Sequence, residues 1–230
     1  MSNLDAHHGV ADLLSSIPYF AHVDTHSLNA IARSALRKRY DADQVVLLEG
    51  EPSSGLFVVQ EGWLKSVKTS PEGREQVMRV VGPGDVFNAI GVLASTTNPG
   101  TVIALEPATV WILQRKTLLQ MLEENAGLAW MIIQALAERV QRLMSQVEDL
   151  SLRSVETRLA RLLLEEATGE TLVRRPWDTQ AEMAARLGTV LDVLNRALRR
   201  MDSAGIIKVE RHRILILDQE QLTSIADLDT

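Results

Sequence analysis

The 230-residue chain has no cysteine. That excludes a disulfide scaffold, thiolate zinc sites, a cysteine nucleophile and cysteine-ligated iron–sulfur clusters. Aromatic residues make up only 4%, so the core must be built from aliphatic side chains. Long apolar runs are also missing. The most apolar stretch, residues 127–137, is interrupted by Gln134 and stops at Glu138, too short to span a bilayer. The opening Met1-Ser2-Asn3-Leu4-Asp5 has no basic region before an apolar run, so no secretory signal is visible. A soluble cytoplasmic protein without membrane contact is expected. Catalytic signatures are absent too: no Walker-type Gly-Lys-Ser/Thr, no Gly-x-Ser-x-Gly and no His-Glu-x-x-His. Gly82-Pro83-Gly84 lacks the third glycine and the helix of a dinucleotide loop. No enzyme is expected.

What is present fits an ordinary globular chain, with 46% hydrophobic and 23% charged residues and room for one large domain or two small ones. Its formal charge of −6 is unevenly placed. Residues 1–150 hold 12 Lys/Arg against 17 Asp/Glu, whereas residues 151–230 hold 12 against 13. Within the latter, Arg196, Arg199, Arg200, Lys208, Arg211 and Arg213 face only Asp202 and Glu210. Screening at physiological salt lets such a local basic patch bind a polyanion on an acidic protein. A solvated surface with scattered arginines is the plain alternative.

Four regions separate by pattern. Up to about Tyr40 the chain reads as short helices, one capped by Asp24 and carrying Leu28, Ile31, Ala32, Ala35 and Leu36 at helical spacing. From Gln44 to about Leu113, strand-length apolar runs at 45–48, 56–59, 63–68, 101–105 and 109–113 alternate with Gly/Pro turns such as Ser70-Pro71-Glu72-Gly73 and Gly82-Pro83-Gly84-Asp85. Short strands broken in this way predict an antiparallel sandwich or barrel. In the third region Ala129, Ile133, Leu136, Val140, Leu143, Val147 and Leu150 alternate in steps of four and three, the spacing of a helix-to-helix seam. One seam per chain implies a parallel homodimer, against the alternative of an amphipathic helix lying on its own domain. The fourth region opens on a helix capped by Ser154, continues with two further helices, and is expected to end in a hairpin-like tail of two strands, 206–209 and 214–217, around Glu210-Arg211-His212-Arg213.

The chemistry is concentrated between Thr179 and Leu198. Thr179 followed by Glu182 is a capping box, and Gly188 can end that helix in a left-handed conformation before a second helix begins. Met183, Ala184, Leu187, Val193 or Leu194, Ala197 and Leu198 supply the apolar corner of a helix-turn-helix. On the second helix Leu191, Asp192, Asn195, Arg196 and Arg199 share the outer face. Such a face can donate to and accept from base edges in the major groove. Plain structural corners have the same shape.

The order of sandwich, long helix, helix-turn-helix and wing resembles the cyclic-AMP receptor protein / fumarate–nitrate reduction regulator (Crp/Fnr) family over nearly the whole chain. The matching segments are Gly50-Glu51-Pro52, Glu61-Gly62, Pro71-Glu72-Gly73-Arg74-Glu75, Gly82-Pro83-Gly84-Asp85-Val86-Phe87, the seam, and residues 179–207. The resemblance implies an α+β fold: a jelly-roll-like, cyclic-nucleotide-binding-type β-roll with N-terminal helices over 1–124, a dimerisation helix over 125–151, and a winged helix-turn-helix over 152–230. It also implies a homodimer that binds near-palindromic promoter DNA and contacts RNA polymerase. DNA contacts then fall to Thr179, Val190, Leu191, Asp192, Asn195, Arg196, Arg199, Arg200, Arg211 and Arg213. An effector pocket falls to Val86, Phe87, Asn88, Ala89, Ile90, Gly91 and Thr101.

Two departures from the family pattern matter. Cyclic-nucleotide receptors of this family carry Gly-Glu-Leu where this chain has Asn88-Ala89-Ile90, and an Arg before Ser/Thr-Ala where it has Asn98-Pro99-Gly100-Thr101. Losing a carboxylate for the ribose and a guanidinium for the phosphate argues against cyclic AMP as effector. In the reading helix, Val190-Leu191-Asp192 stands where the relatives have Ser-Arg-Glu, keeping the carboxylate and the later Arg196. Some family members bind haem, for which His7, His8, His22, His26 or His212 would have to serve as axial ligand; solvent-exposed histidines are the default. Two rival classes remain: an effector-binding dimer with weak or degenerate DNA binding, and a purely structural or partner-binding dimer.

Overall fold

Strand Gly55–Glu61 (β3) shows why the first part of the chain is layered. Leu56 and Val58 face one buried cluster, Phe57 and Val59 another. A strand apolar on both sides needs a layer against each face. The computed structural model describes residues 10, 13–17, 20, 23–94 and 96–227. In it, β3 belongs to a four-stranded sheet with Leu36–Tyr40 (β1), Ala108–Gln114 (β8) and Val86–Phe87 (β6), in the order β1-β8-β3-β6. A second four-stranded sheet orders Val45–Leu47 (β2), Thr101–Ala104 (β7), Leu64–Thr69 (β4) and Glu75–Val81 (β5) as β2-β7-β4-β5. Phe57, Val59 and Val110 from the first sheet share a core with Leu64, Val81 and Val102 from the second. Leu56, Val58, Trp111 and Leu113 instead meet three helices, Thr25–Ser34 (α1), Arg115–Glu124 (α3) and the start of Ala126–Leu152 (α4), through side chains such as Ile31, Leu118, Leu128 and Ile132. The short helix Ala89–Leu93 (α2) follows β6. At the β3–β4 break Gly62 has φ +83°, and a Cβ there would lie 2.5 Å from the Pro107 carbonyl oxygen, so only glycine fits.

Two expectations need correcting here. Residues 36–40 are a strand, so the roll begins at Leu36 and not at Gln44. β1 is an edge strand pairing only with β8, with Arg37, Lys38 and Arg39 exposed and Tyr40 alone buried. A strand held by one neighbour needs no apolar alternation, and basic residues protect its open edge. Strand ends also shift by a residue or two, and Leu105 lies beyond β7.

The chain folds as two compact units, Met1–Lys68 with Met78–Val140, and Thr69–Val77 with Gln141–Thr230. The second unit contains Val155–Glu166 (α5), Gln180–Arg186 (α6) and Leu191–Ser203 (α7). Ser154 caps α5 by accepting from the Thr157 N–H at 3.1 Å. Leu159, Leu163, Met183, Leu194, Leu198 and Ile207 are among its buried core. The expected terminal hairpin, Ile207–Val209 (β10) with Arg213–Ile216 (β11), is present, but the chain does not end in it. Thr171–Val173 (β9) adds a third strand to the wing, and Gln219–Ala226 (α8), capped by Asp218, closes the unit against α5. A three-residue strand is too short to show a period, and α8 has its Leu222 and Ala226 buried under a largely polar sequence.

Candidate nucleic-acid interface and effector region

The helix-turn-helix is assembled by local signals. The Thr179 hydroxyl accepts from the Glu182 N–H at 3.2 Å and starts α6. Gly188, at φ +63°, turns the chain in the left-handed region, where a side chain would be strained. The Thr189 N–H then returns to the Ala184 carbonyl at 2.9 Å, and Val190 is the residue preceding α7. On α7, Leu194, Ala197, Leu198 and Met201 are buried, which settles the apolar corner in favour of Leu194 over the half-buried Val193.

The opposite face of α7 carries the expected reading residues. Val190, Leu191, Asp192, Arg196, Arg199 and Arg200 are exposed and Asn195 is half-buried. Leu191 is 42% exposed, a large apolar side chain left open to solvent at the start of α7. Arg196 and Arg199 make no ion pair among the described residues, whereas the Arg200 Nη1 donates to Glu156 Oε1 at 2.8 Å. In the wing turn, Arg211 is exposed with no ion pair among the described residues, and the Arg213 Nε donates to Glu210 at 2.7 Å. Arg196, Arg199 and Arg211, cationic and without acidic partners among the described residues, are side chains that a phosphate backbone can recruit.

Just before α6 lies a carboxylate the sequence did not single out. Asp178, one residue before Thr179, is 5% exposed; its Oδ1 stands 3.5 Å from Arg186 Nη1, and its backbone carbonyl accepts from Arg174 Nε at 3.0 Å. Burial pushes its carboxyl above the ordinary range, against the pull of Arg186 and Arg174. The folded chain therefore holds this proton more tightly than the unfolded chain, and stability falls as pH rises from about 4 through the folded value. Asp178→Asn removes that penalty. At pH 7 the variant should unfold at a higher temperature than the wild type, and the gap should close below about pH 4, where both side chains are neutral. A gap of equal size at both pH values would assign the difference to packing instead.

The seven effector-region residues fall into different roles. Val86 and Phe87 are core side chains, Phe87 stacking on Phe57 with ring centroids 4.9 Å apart. Asn88 adopts φ +67°, and its Nδ2 donates to the Ser53 hydroxyl at 2.9 Å and the Gly55 carbonyl at 3.0 Å. Ala89 packs against the helical core, Ile90 is 45% exposed, and a Cβ on Gly91 would lie 2.8 Å from Asn88 Oδ1. The Thr101 hydroxyl accepts from the Glu49 N–H at 3.2 Å. Neither 86–91 nor 98–101 supplies a carboxylate or a guanidinium, the groups that would hold a ribose and a cyclic phosphate. His26 and His212 are exposed; His7, His8 and His22 lie outside the described residues. Among the described residues no group of three or more His, Asp or Glu could hold a metal.

On α4 the stripe divides. Leu128 and Ile132 are buried and Leu136 packs partly against the same core. Ile133, Val140, Val147 and Leu150 are exposed to between 46% and 64%, joined by Trp130 and Met144, which the seam spacing had not included. Ala129 and Leu143 are intermediate. No helix among the described residues is long and apolar enough to cross a membrane.

Comparison with known proteins follows the same division. Residues 37–125 match the cyclic nucleotide-binding domain family, and residues 157–225 match the Crp-like helix-turn-helix domain. The chain is 24% identical over 217 residues to a CRP-like cAMP-activated global transcriptional regulator of Mycobacterium tuberculosis, covering 92% of this chain and 97% of that one. Its fold is shared with FixK2 from Bradyrhizobium japonicum, at 21% identity and TM-score 0.74 over 85% of this chain and 99% of that one. It is shared also with the c-di-GMP responsive global regulator CLP of Xanthomonas campestris, at 18% identity and TM-score 0.72 over 84% and 99%. An effector-type β-roll, a long helix and a Crp-like helix-turn-helix in one chain are the parts of transcription regulators, not of enzymes, and this chain belongs to the Crp/Fnr family.

Proposed function

We propose that the protein is a cytoplasmic homodimer that binds near-palindromic promoter DNA, contacts RNA polymerase there, and is controlled through the β-roll by an effector other than cyclic AMP. The observation that carries this reading is the outer face of α7, where Asp192, Arg196 and Arg199 stand exposed beside the half-buried Asn195 on a capped helix-turn-helix. Arginine and asparagine can read guanine and adenine edges there, and the carboxylate a cytosine amino group. Dimerisation rests on the exposed apolar half of α4, whose repeat of about seven residues suits a second copy of the same helix. Residues 125–151 would form that dimerisation segment, between a sensor part over 1–124 and a DNA-binding part over 152–230. An effector that shifts the seam would change the spacing and tilt of the two reading helices relative to one turn of DNA.

Two of the relatives named above are described as cAMP-activated and c-di-GMP responsive. In this chain Ala89 and Pro99 stand where charge partners for a cyclic nucleotide would be, so a less charged ligand fits the roll better, with haem a lesser alternative. Fluorescence anisotropy of the full chain on genomic duplex fragments, across a salt series and with or without cyclic AMP, tests both parts. Binding should weaken steeply with salt, some fragments should bind at least about a thousandfold tighter than bulk DNA, and cyclic AMP should change neither. Uniformly weak binding to every fragment would favour an effector-binding dimer with degenerate DNA contacts. A micromolar response to cyclic AMP would overturn the view of the roll.

A further inference from the structure

An open depression of about 330 Å³ on the second unit lies between the first turn of α5 and the side of α7. Ser154, Val155 and Glu156 form one wall; Arg196 and Arg200 reach it from the other. The three arginines of α7 are not equivalent. Arg196 and Arg199 make no ion pair among the described residues, while Arg200 is paired with Glu156 at 2.8 Å. The Arg200 side chain is 72% exposed and that of Glu156 35%, so the carboxylate is the better anchored partner. Its own helix adds to that anchoring, because an acid in the first turn is favoured by the helix dipole. Glu156 therefore stays in place whether or not Arg200 leaves it.

Resting on the DNA-binding reading, we propose that Glu156 is a built-in brake on DNA binding. It occupies Arg200 in the free protein and presents a like charge to any phosphate that approaches this edge of the reading helix. A phosphate can recruit Arg200 only by displacing a carboxylate that remains close by. The exchange lowers the number of counterions released on binding, and so weakens binding to every sequence alike, as the loss of any one phosphate contact does. Contacts to base edges from Arg196 and its neighbours do not pass through this pair. The brake thus sets the overall affinity for DNA and leaves the readout of the bases untouched.

The test uses the full-length protein and a labelled mixed-sequence duplex of about 30 base pairs, titrated at salt concentrations from roughly 50 to 300 mM. Glu156→Gln should bind this duplex about three- to tenfold tighter than the wild type near 0.1 M salt, with the slope of log affinity against log salt steeper by about one per protomer. Glu156→Asp, which keeps the charge, should behave as the wild type. In an Arg200→Ala background the gain from Glu156→Gln should fall below about twofold, because the contact it releases is no longer there. Equal affinity and slope for wild type and Glu156→Gln overturn the proposal while leaving DNA binding intact. So does a gain that persists undiminished in Arg200→Ala, which would mark a general field effect of one lost charge. No binding by the wild type or any variant at the lowest salt would instead overturn the DNA-binding reading itself.

Discussion

Val140→Lys should leave the protein monomeric at micromolar concentration and lower its affinity for a duplex carrying two half-sites by at least about a hundredfold, the scale lost when two linked binding events become independent. Val140 is 55% exposed in its own protomer, so the substitution does not disturb the core of the roll. It lies midway along the exposed stripe that runs through Ile133, Met144 and Val147. In a parallel pair of helices the two copies of one seam position face each other, and two ammonium groups would meet there. Each apolar side chain buried between the copies contributes up to about 1.5–3 kcal/mol before ordering costs, so one seam position is a sizeable share of the association energy. Val140 is a cleaner choice than Leu143, which is already half-buried within the chain. Gln134→Lys adds the same charge off the stripe and should leave the assembly intact. Sedimentation that finds Val140→Lys fully dimeric at micromolar concentration would remove the seam from the reading.

Much of this organisation was legible in the residues because it is local. Thr179, Glu182 and Gly188 announce a capped helix and a left-handed turn within ten positions, and the cap and turn are where they were expected. The stripe on α4 is likewise a matter of spacing along one helix. What stayed hidden depends on partners far along the chain. β1 reads as an extension of the preceding helix because Leu36 follows Ile31, Ala32 and Ala35 at helical spacing; only its pairing with β8, about seventy residues on, makes it a strand. β9 is defined by β11 alone, about forty residues later. The Glu156–Arg200 pair joins positions 44 apart, and neither residue stands out by itself. Asn88 is an intermediate case. Its place after the Gly-Pro-Gly-Asp turn was visible, but its left-handed backbone and its bonds to Ser53 and Gly55 replace family chemistry that the sequence could only show as missing.

Arg196→Ala should cost about 1–3 kcal/mol on the preferred site and relax one base position in each half-site, the loss expected for one bidentate guanine contact. Arg196 is exposed on the outer face of α7, one turn after Asp192 and beside Asn195, with no ion pair among the described residues to hold it back. Arg211 is the contrast. It sits in the wing turn, away from any base-reading helix, so Arg211→Ala should weaken all sequences alike and lower the salt slope by about one unit. Leu191 decides the register of the whole face. It is the first residue of α7 and 42% exposed, with no hydrogen-bonding atom to offer in its side chain. Apolar contact with a thymine methyl is the one base-specific contact open to it, so the base it meets should be thymine or unspecified. Leu191→Arg restores a guanidinium at that point and should create a preference for guanine at one position per half-site. Selection from random duplexes reads all three variants together. If wild type and Leu191→Arg return the same site, Leu191 does not face the bases, and the reading face must be turned about the α7 axis away from Asp192 and Arg196.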